Sequence, residues 1–150
     1  MTADLPDLIG RRAELTPDAV AIEEVETGRI LTYAGLHARA ARTAGLFAAR
    51  GIGEGDRVAI LCRNRIAFFE ALFACARLGA ILVPLNWRMP PAELDALIAD
   101  SGPGLLLHGA EERSAVCRLA APPATLDLDD GYEALVEAGA PAPGRGRRAG

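Results

Sequence analysis

RVAILCRNRIAFFEALFACARLGAILVPL, from Arg57 to Leu85, holds two short apolar runs with a longer one between them. The first, RVAILC, reads as a strand buried on both faces. Asn64 then stands as a cap for a helix that begins at Arg65 or Ile66. That helix, IAFFEALFACARL, is apolar almost all the way round, with Glu70 and Arg77 the main exceptions, so most of its sides need covering. Gly79 stops it. AILVPL is the second strand, and Pro84 near its end finishes the ladder because proline has no N–H to donate. Two such strands joined by a helix make a parallel unit with a right-handed crossover.

The same alternation continues on either side. Downstream, PAELDALIADSG is a helix, with Pro91 suited to its first turn and Gly102 to its end. GLLLHG is a third strand, AEERSAVCRLA a helix, ATLDL a weak fourth strand and DGYEALVEAG a last helix. Upstream, AVAIEEVETGRILTY reads as a hairpin turning at Glu26, Thr27 and Gly28. Thr32 caps an amphipathic helix with Tyr33, Leu36, Ala40, Ala44 and Phe47 inward; His37, Arg39, Arg42 and Arg50 fall mostly on the other side. DLPDLIGRRAEL forms a short helix with Leu5, Leu8 and Ile9 on one side, broken by Thr16, Pro17 and Asp18. The expected fold is α/β: an N-terminal β-hairpin and amphipathic helix, then a mainly parallel, doubly wound sheet with helices on both faces. From Ala138 the sequence becomes AGAPAPGRGRRAG, so residues 1–137 form the folded unit and 138–150 a Pro/Gly/Arg linker.

Several functions fall away on composition and order. The 150 residues carry a net charge of −4, against the concentrated positive face that nucleic acid requires. All 16 basic residues are arginines. Arg145, Arg147 and Arg148 supply at most weak, salt-sensitive phosphate contacts and are expected to be solvated. No apolar window reaches the roughly 18 residues of a membrane span, and the N-terminus does not read as a signal peptide, so the cytoplasm is the expected location. Cys62, Cys75 and Cys117 lie too far apart for a zinc or redox pair, and no metal-ligating group is visible. GIGEGDRVAILC places its glycines after a helix and before a strand, the reverse of a phosphate-binding turn. They are a helix stop and a turn.

Two quoted pieces then carry a resemblance. LTYAGL (Leu31–Leu36) and RLGAILVPLN (Arg77–Asn86), with the elements between them, resemble the first two core motifs of the AMP-forming adenylate ligases, over about residues 15 to 110. VPLNWRMPPAEL is most similar to bacterial acyl-CoA synthetases. The resemblance implies an enzyme that joins a carboxylic acid to ATP as an acyl-adenylate and then passes the acyl group to CoA, with Mg²⁺ in the first step. It also implies that the phosphate-holding loop with its lysine, the other nucleotide motifs and the catalytic lysine of the lid lie in chain beyond this segment. The segment would be the leading third or less of the enzyme, mainly scaffold, with no catalytic residue of its own and no tight cofactor binding. Its partners would be the rest of the same chain, the acid and CoA; taken alone it is expected to self-associate. Two alternatives stand beside this: a non-catalytic binding or interaction module derived from the fold, or part of an adenylating enzyme that serves a carrier protein. Gly35 departs from the family pattern, since a glutamate there would complete a capping box with Thr32.

By the same resemblance Arg88 is the one candidate ligand contact, to a phosphate of the CoA nucleotide. The structural reading has Arg88 paired with Glu93 or another carboxylate, Asn86 holding the turn and Trp87 covering the sheet edge. His37 is expected to be solvated and His108 to be hydrogen-bonded locally.

Overall fold

The computed structural model describes residues 7–144. Helix α1 (Leu8–Leu15) leads into a hairpin of β1 (Val20–Glu24) and β2 (Arg29–Thr32), and α2 (Tyr33–Ala49) follows directly. Then come β3 (Arg57–Leu61), α3 (Ile66–Leu78), β4 (Ile81–Pro84), α4 (Pro91–Ser101) and β5 (Leu105–His108). A 3₁₀ turn (Ala110–Glu112), α5 (Arg113–Cys117), β6 (Thr125–Asp127) and α6 (Tyr132–Ala138) complete the order. The hairpin is antiparallel, and the second sheet is parallel throughout in the order β4-β3-β5-β6. No helix among the described residues is long and apolar enough to cross a membrane. Leu5, Arg145, Arg147 and Arg148 lie outside the described residues.

Strand order explains the layers. From β3 the chain moves one way to β4, then back past β3 to β5 and on to β6, so its helices divide between the two faces. Val58, Ile60, Leu105, Leu107 and Leu126 meet Phe47 of α2, Ala71 and Ala74 of α3, and Tyr132 of α6. Ala59, Leu61 and Leu106 point the other way, against Leu94 and Ile98 of α4 and Val116 of α5. Successive strand residues thus serve alternate faces. Both central strands are buried as the apolar runs require, apart from the half-buried Arg57.

β4 lacks the burial of the two central strands. It is an edge strand, half-exposed, with Ile81 53% accessible. Ile81 and Leu85 donate their amides to Asp56 and Ile60 at the two ends of the β3 ladder. Alternation turns the backbone of Leu82 and Pro84 outward, and only Leu82 has an N–H to offer there.

Local chemistry sets the ends. Thr32 Oγ1 accepts the Gly35 amide at 3.1 Å, so half of the capping box forms without a glutamate. Asn64 does not cap α3: Arg65 holds the cap position without a side-chain bond, and Glu24 of the hairpin accepts the Ile66 amide at 2.7 Å. The glycine turn before β3 holds Gly51 at φ +84° and Gly55 at φ +79°, and the Gly53 amide donates to Asp56 Oδ2 at 2.8 Å. It is a brace, as its place in the chain required. The AEERSAVCRLA helix is interrupted, its first turn being 3₁₀ and α5 only five residues long.

Two features join the helices. Arg39, on the polar side of α2 by sequence, is mostly buried; its Nε meets Glu70 Oε2 at 2.6 Å and its Nη2 meets Glu133 Oε2 at 2.8 Å. Glu70 is fully buried, and burial pushes its carboxyl above the usual range against the opposing pull of Arg39. Beyond α6, the strap of residues 139–144 lies across α2. The Ala142 amide donates to Ala41 O at 2.9 Å, and Arg77 Nε to Ala142 O at 2.7 Å. The strap passes so close that a Cβ on Gly45 would overlap the carbonyl oxygen of Ala140.

Candidate functional site at the carboxyl edge of the sheet

All four parallel strands point their carboxyl ends the same way, and open α/β sheets bind ligands there, outside the position where strand order reverses. That position lies between β3 and β5. The loops after the strands carry the candidate side chains.

After β4, Asn86 builds the turn. Its Oδ1 accepts the Arg88 amide and its carbonyl accepts the Met89 amide, both at 3.0 Å. Asparagine suits the place because its side chain mimics a backbone acceptor two residues on. Trp87 is half-buried and packs, with Met89 and Val83, against the core beneath α4 and α5. Arg88 lies over the indole, its Cζ 4.2 Å from the ring centroid. Among the described residues no carboxylate comes within ion-pair distance of Arg88, so Glu93 is not its partner.

A second guanidinium shares that ring. Arg63, in the loop after β3, sits with Cζ 4.3 Å from the Trp87 centroid. Its Nε also pairs with Glu111 and, at 3.6 Å, with Glu112, both in the segment after β5. One side chain therefore ties three loops together. Sequence reasoning passed over Arg63; the available signal was its place in CRNR, directly after the central strand.

The rest of the edge is internally paired. Arg65 grips Asp129 through two bonds of 2.9 and 2.8 Å, and Asp129 also accepts the Ala110 amide at 2.7 Å. The Arg65 bonds hold the Asp129 carboxyl down from 3.8 to about 2, against the opposing effect of partial burial. Arg113 Nη2 pairs with Asp127 at 2.6 Å. His108 is buried with Nδ1 3.0 Å from Gly109 O, the local contact expected of it, whereas His37 is half-buried. Burial pushes the Cys62 thiol up to about 11, which removes it as a nucleophile near neutral pH. A cleft of about 490 Å³ beside the hairpin is lined by Glu24, Arg29, Arg65, Asp129 and Glu133, each of which already has a partner. Among the described residues no three His, Cys, Asp or Glu side chains group as metal ligands.

Chemically, then, this edge offers in Arg88 an exposed, permanently charged guanidinium on a fixed turn that, among the described residues, has no carboxylate partner. A charge-assisted hydrogen bond from it is worth roughly 1.5–3 kcal/mol. Even millimolar affinity needs about 4.1 kcal/mol. Arg88 can contribute to a phosphate site but cannot make one alone.

Comparisons with known proteins point to one family. The family model for AMP-binding enzymes matches residues 9–143. A feruloyl-CoA synthase of an Amycolatopsis species is 47% identical over 111 residues, 74% of this chain and 22% of that protein. The fatty acid–[acyl-carrier-protein] ligase ScoC of Streptomyces coeruleorubidus is 41% identical over 114 residues, 75% of this chain and 21% of its own length. Among solved structures, the N-terminal domain of FACL13 from Mycobacterium tuberculosis superposes with a TM-score of 0.84 at 30% identity, covering 95% of this chain and 38% of that one. The chain spans about a fifth of the length of these two curated relatives.

Proposed function

Because the chain belongs to the family of AMP-binding enzymes, we propose that it is the N-terminal part of an ATP-dependent acid–CoA ligase. In the complete enzyme the substrate carboxylate attacks the α-phosphorus of ATP and pyrophosphate leaves. The CoA sulfur then attacks the acyl carbon and AMP departs. The described residues supply scaffold for both steps and one phosphate contact, from Arg88 to the CoA nucleotide. The observation that carries this is the guanidinium itself: it sits at the ligand-binding edge, has no carboxylate partner among the described residues, and is fixed by Asn86 and Trp87. ATP and Mg²⁺ would be held by the remainder of the chain, since the described residues present neither a lysine nor a grouped set of carboxylates for them. We place the reaction in the cytoplasm, where ATP and CoA are available.

Exposed apolar side chains support the scaffold role. Phe69 and Leu72 on α3 are 39% and 37% accessible, and Ile81 lies on the open edge. In the complete ligase further chain covers them; alone, the segment self-associates. This favours the ligase over a free-standing binding module.

The test uses the complete ligase. Arg88→Ala should raise KM for CoA about tenfold or more, the equivalent of one charge-assisted contact, and leave acid-dependent pyrophosphate release unchanged. The 150-residue chain alone should show no ATP–pyrophosphate exchange above background. The similarity to ScoC keeps a carrier-protein acceptor as a second reading. Arg88→Ala would then leave acyl transfer intact, because the carrier's phosphopantetheine arm brings no nucleotide phosphate.

A further inference from the structure

Arg63 lies one loop away from the proposed phosphate contact and, unlike Arg88, already pairs through its Nε with two carboxylates. We propose that Arg63 is a positioning residue that sets the orientation of Arg88 by clamping Trp87; this rests on the ligase reading given above.

The geometry gives Arg63 two attachments. Its guanidinium lies over the Trp87 ring at 4.3 Å, and its Nε is held by Glu111 and Glu112 from the segment after β5. Glu112 is buried, which makes it a fixed anchor. Arg88 has only the other kind of support: its backbone is set by Asn86, while its side chain rests on the same indole at 4.2 Å. A half-buried indole held from one loop thus becomes the platform for a guanidinium in the next. Planar, delocalised guanidinium suits both jobs, since it stacks on an aromatic ring while its N–H groups bond in plane. Removing Arg63 would free the ring and leave Glu111 and Glu112 without their cation beside an anion-binding edge. The pairing also assigns the two arginines different work: Arg63 is tied to carboxylates and braces the ring, while Arg88, with no carboxylate partner among the described residues, is left to meet phosphate.

Two measurements test this. In the complete ligase, Arg63→Ala should raise KM for CoA roughly two- to fivefold, the loss expected for one exposed cation–π contact, with KM for ATP and pyrophosphate release unchanged. Arg63→Lys keeps the charge but not the planar fork, and should recover only part of that change. In the 150-residue chain Trp87 is the sole tryptophan, so its emission reports the platform directly. Arg63→Ala should shift that emission to the red and increase acrylamide quenching. Unchanged quenching, or a CoA KM unmoved by Arg63→Ala while Arg88→Ala raises it, overturns the positioning role alone. If Arg88→Ala also leaves the CoA KM unmoved, the CoA-phosphate reading fails first and this inference with it.

Discussion

Asp129 shows how much of this edge depends on single ion pairs. Its carboxyl titrates lower in the fold than in an unfolded chain because Arg65 and the Ala110 amide bond the charged form. The folded state therefore binds fewer protons than the unfolded state as pH falls from about 4 toward 2, and stability drops over that window. The contribution is fully present above about pH 4. Asp129→Asn should lower the thermal midpoint at pH 7, and the gap to the unsubstituted protein should narrow as pH falls to about 2.5. A gap that stays constant with pH would assign the loss to the Ala110 bond and not to the charge. Residue-level legibility was uneven here. The local bond of His108 and the turn at Asn86 are both legible in the sequence, whereas the Glu93 partner it offers Arg88 is not found. The Arg65–Asp129 pair joins residues 64 positions apart and left no local pattern to read.

Among the elements, α3 and the strap are the most instructive. An apolar helix with one glutamate, facing a helix whose polar side holds an arginine, contains the Arg39–Glu70 pair in outline. Sequence periodicity alone did not choose between solvent and partner for Arg39. The α3 cap shows the limit again. Asn64 is the right residue type one position too early, and the work passes to Glu24 from a hairpin 42 positions away. A cap of this kind contributes about 1 kcal/mol, enough to hold the hairpin to α3. The segment after Ala138 has linker composition, yet its described part is fastened across α2. Gly45→Ala places a methyl where the Ala140 carbonyl sits and should lift the strap. Hydrogen exchange at the Ala142 amide should then quicken by about tenfold or more, since its bond to Ala41 is broken. Exchange at buried β5 amides should stay slow. An unchanged Ala142 rate would mean that α2 yields instead.

For the molecule as a whole, the parallel sheet was legible because β3 and β5 are apolar without interruption and each is followed by a helix. Sheet order was not, since periodicity within a strand says nothing about its neighbours, and so the edge position of β4 went unseen. Its place matters for the apolar side chains on α3 and β4, which the proposed ligase would cover with further chain. Sedimentation of the 150-residue chain should show concentration-dependent association that mild detergent disperses; a strictly monomeric species across a hundredfold concentration range would argue for the free-standing module.

Pro84 limits what that association can become. Fibrils lengthen by templating one backbone on another, which calls for an uninterrupted row of donors. Along the outward side of β4 only Leu82 supplies one. β6, the opposite border, is three residues long. Clusters that form along either border of the parallel sheet should therefore be held by side chains, stay small and reversible, and remain dark to amyloid dyes even after long incubation.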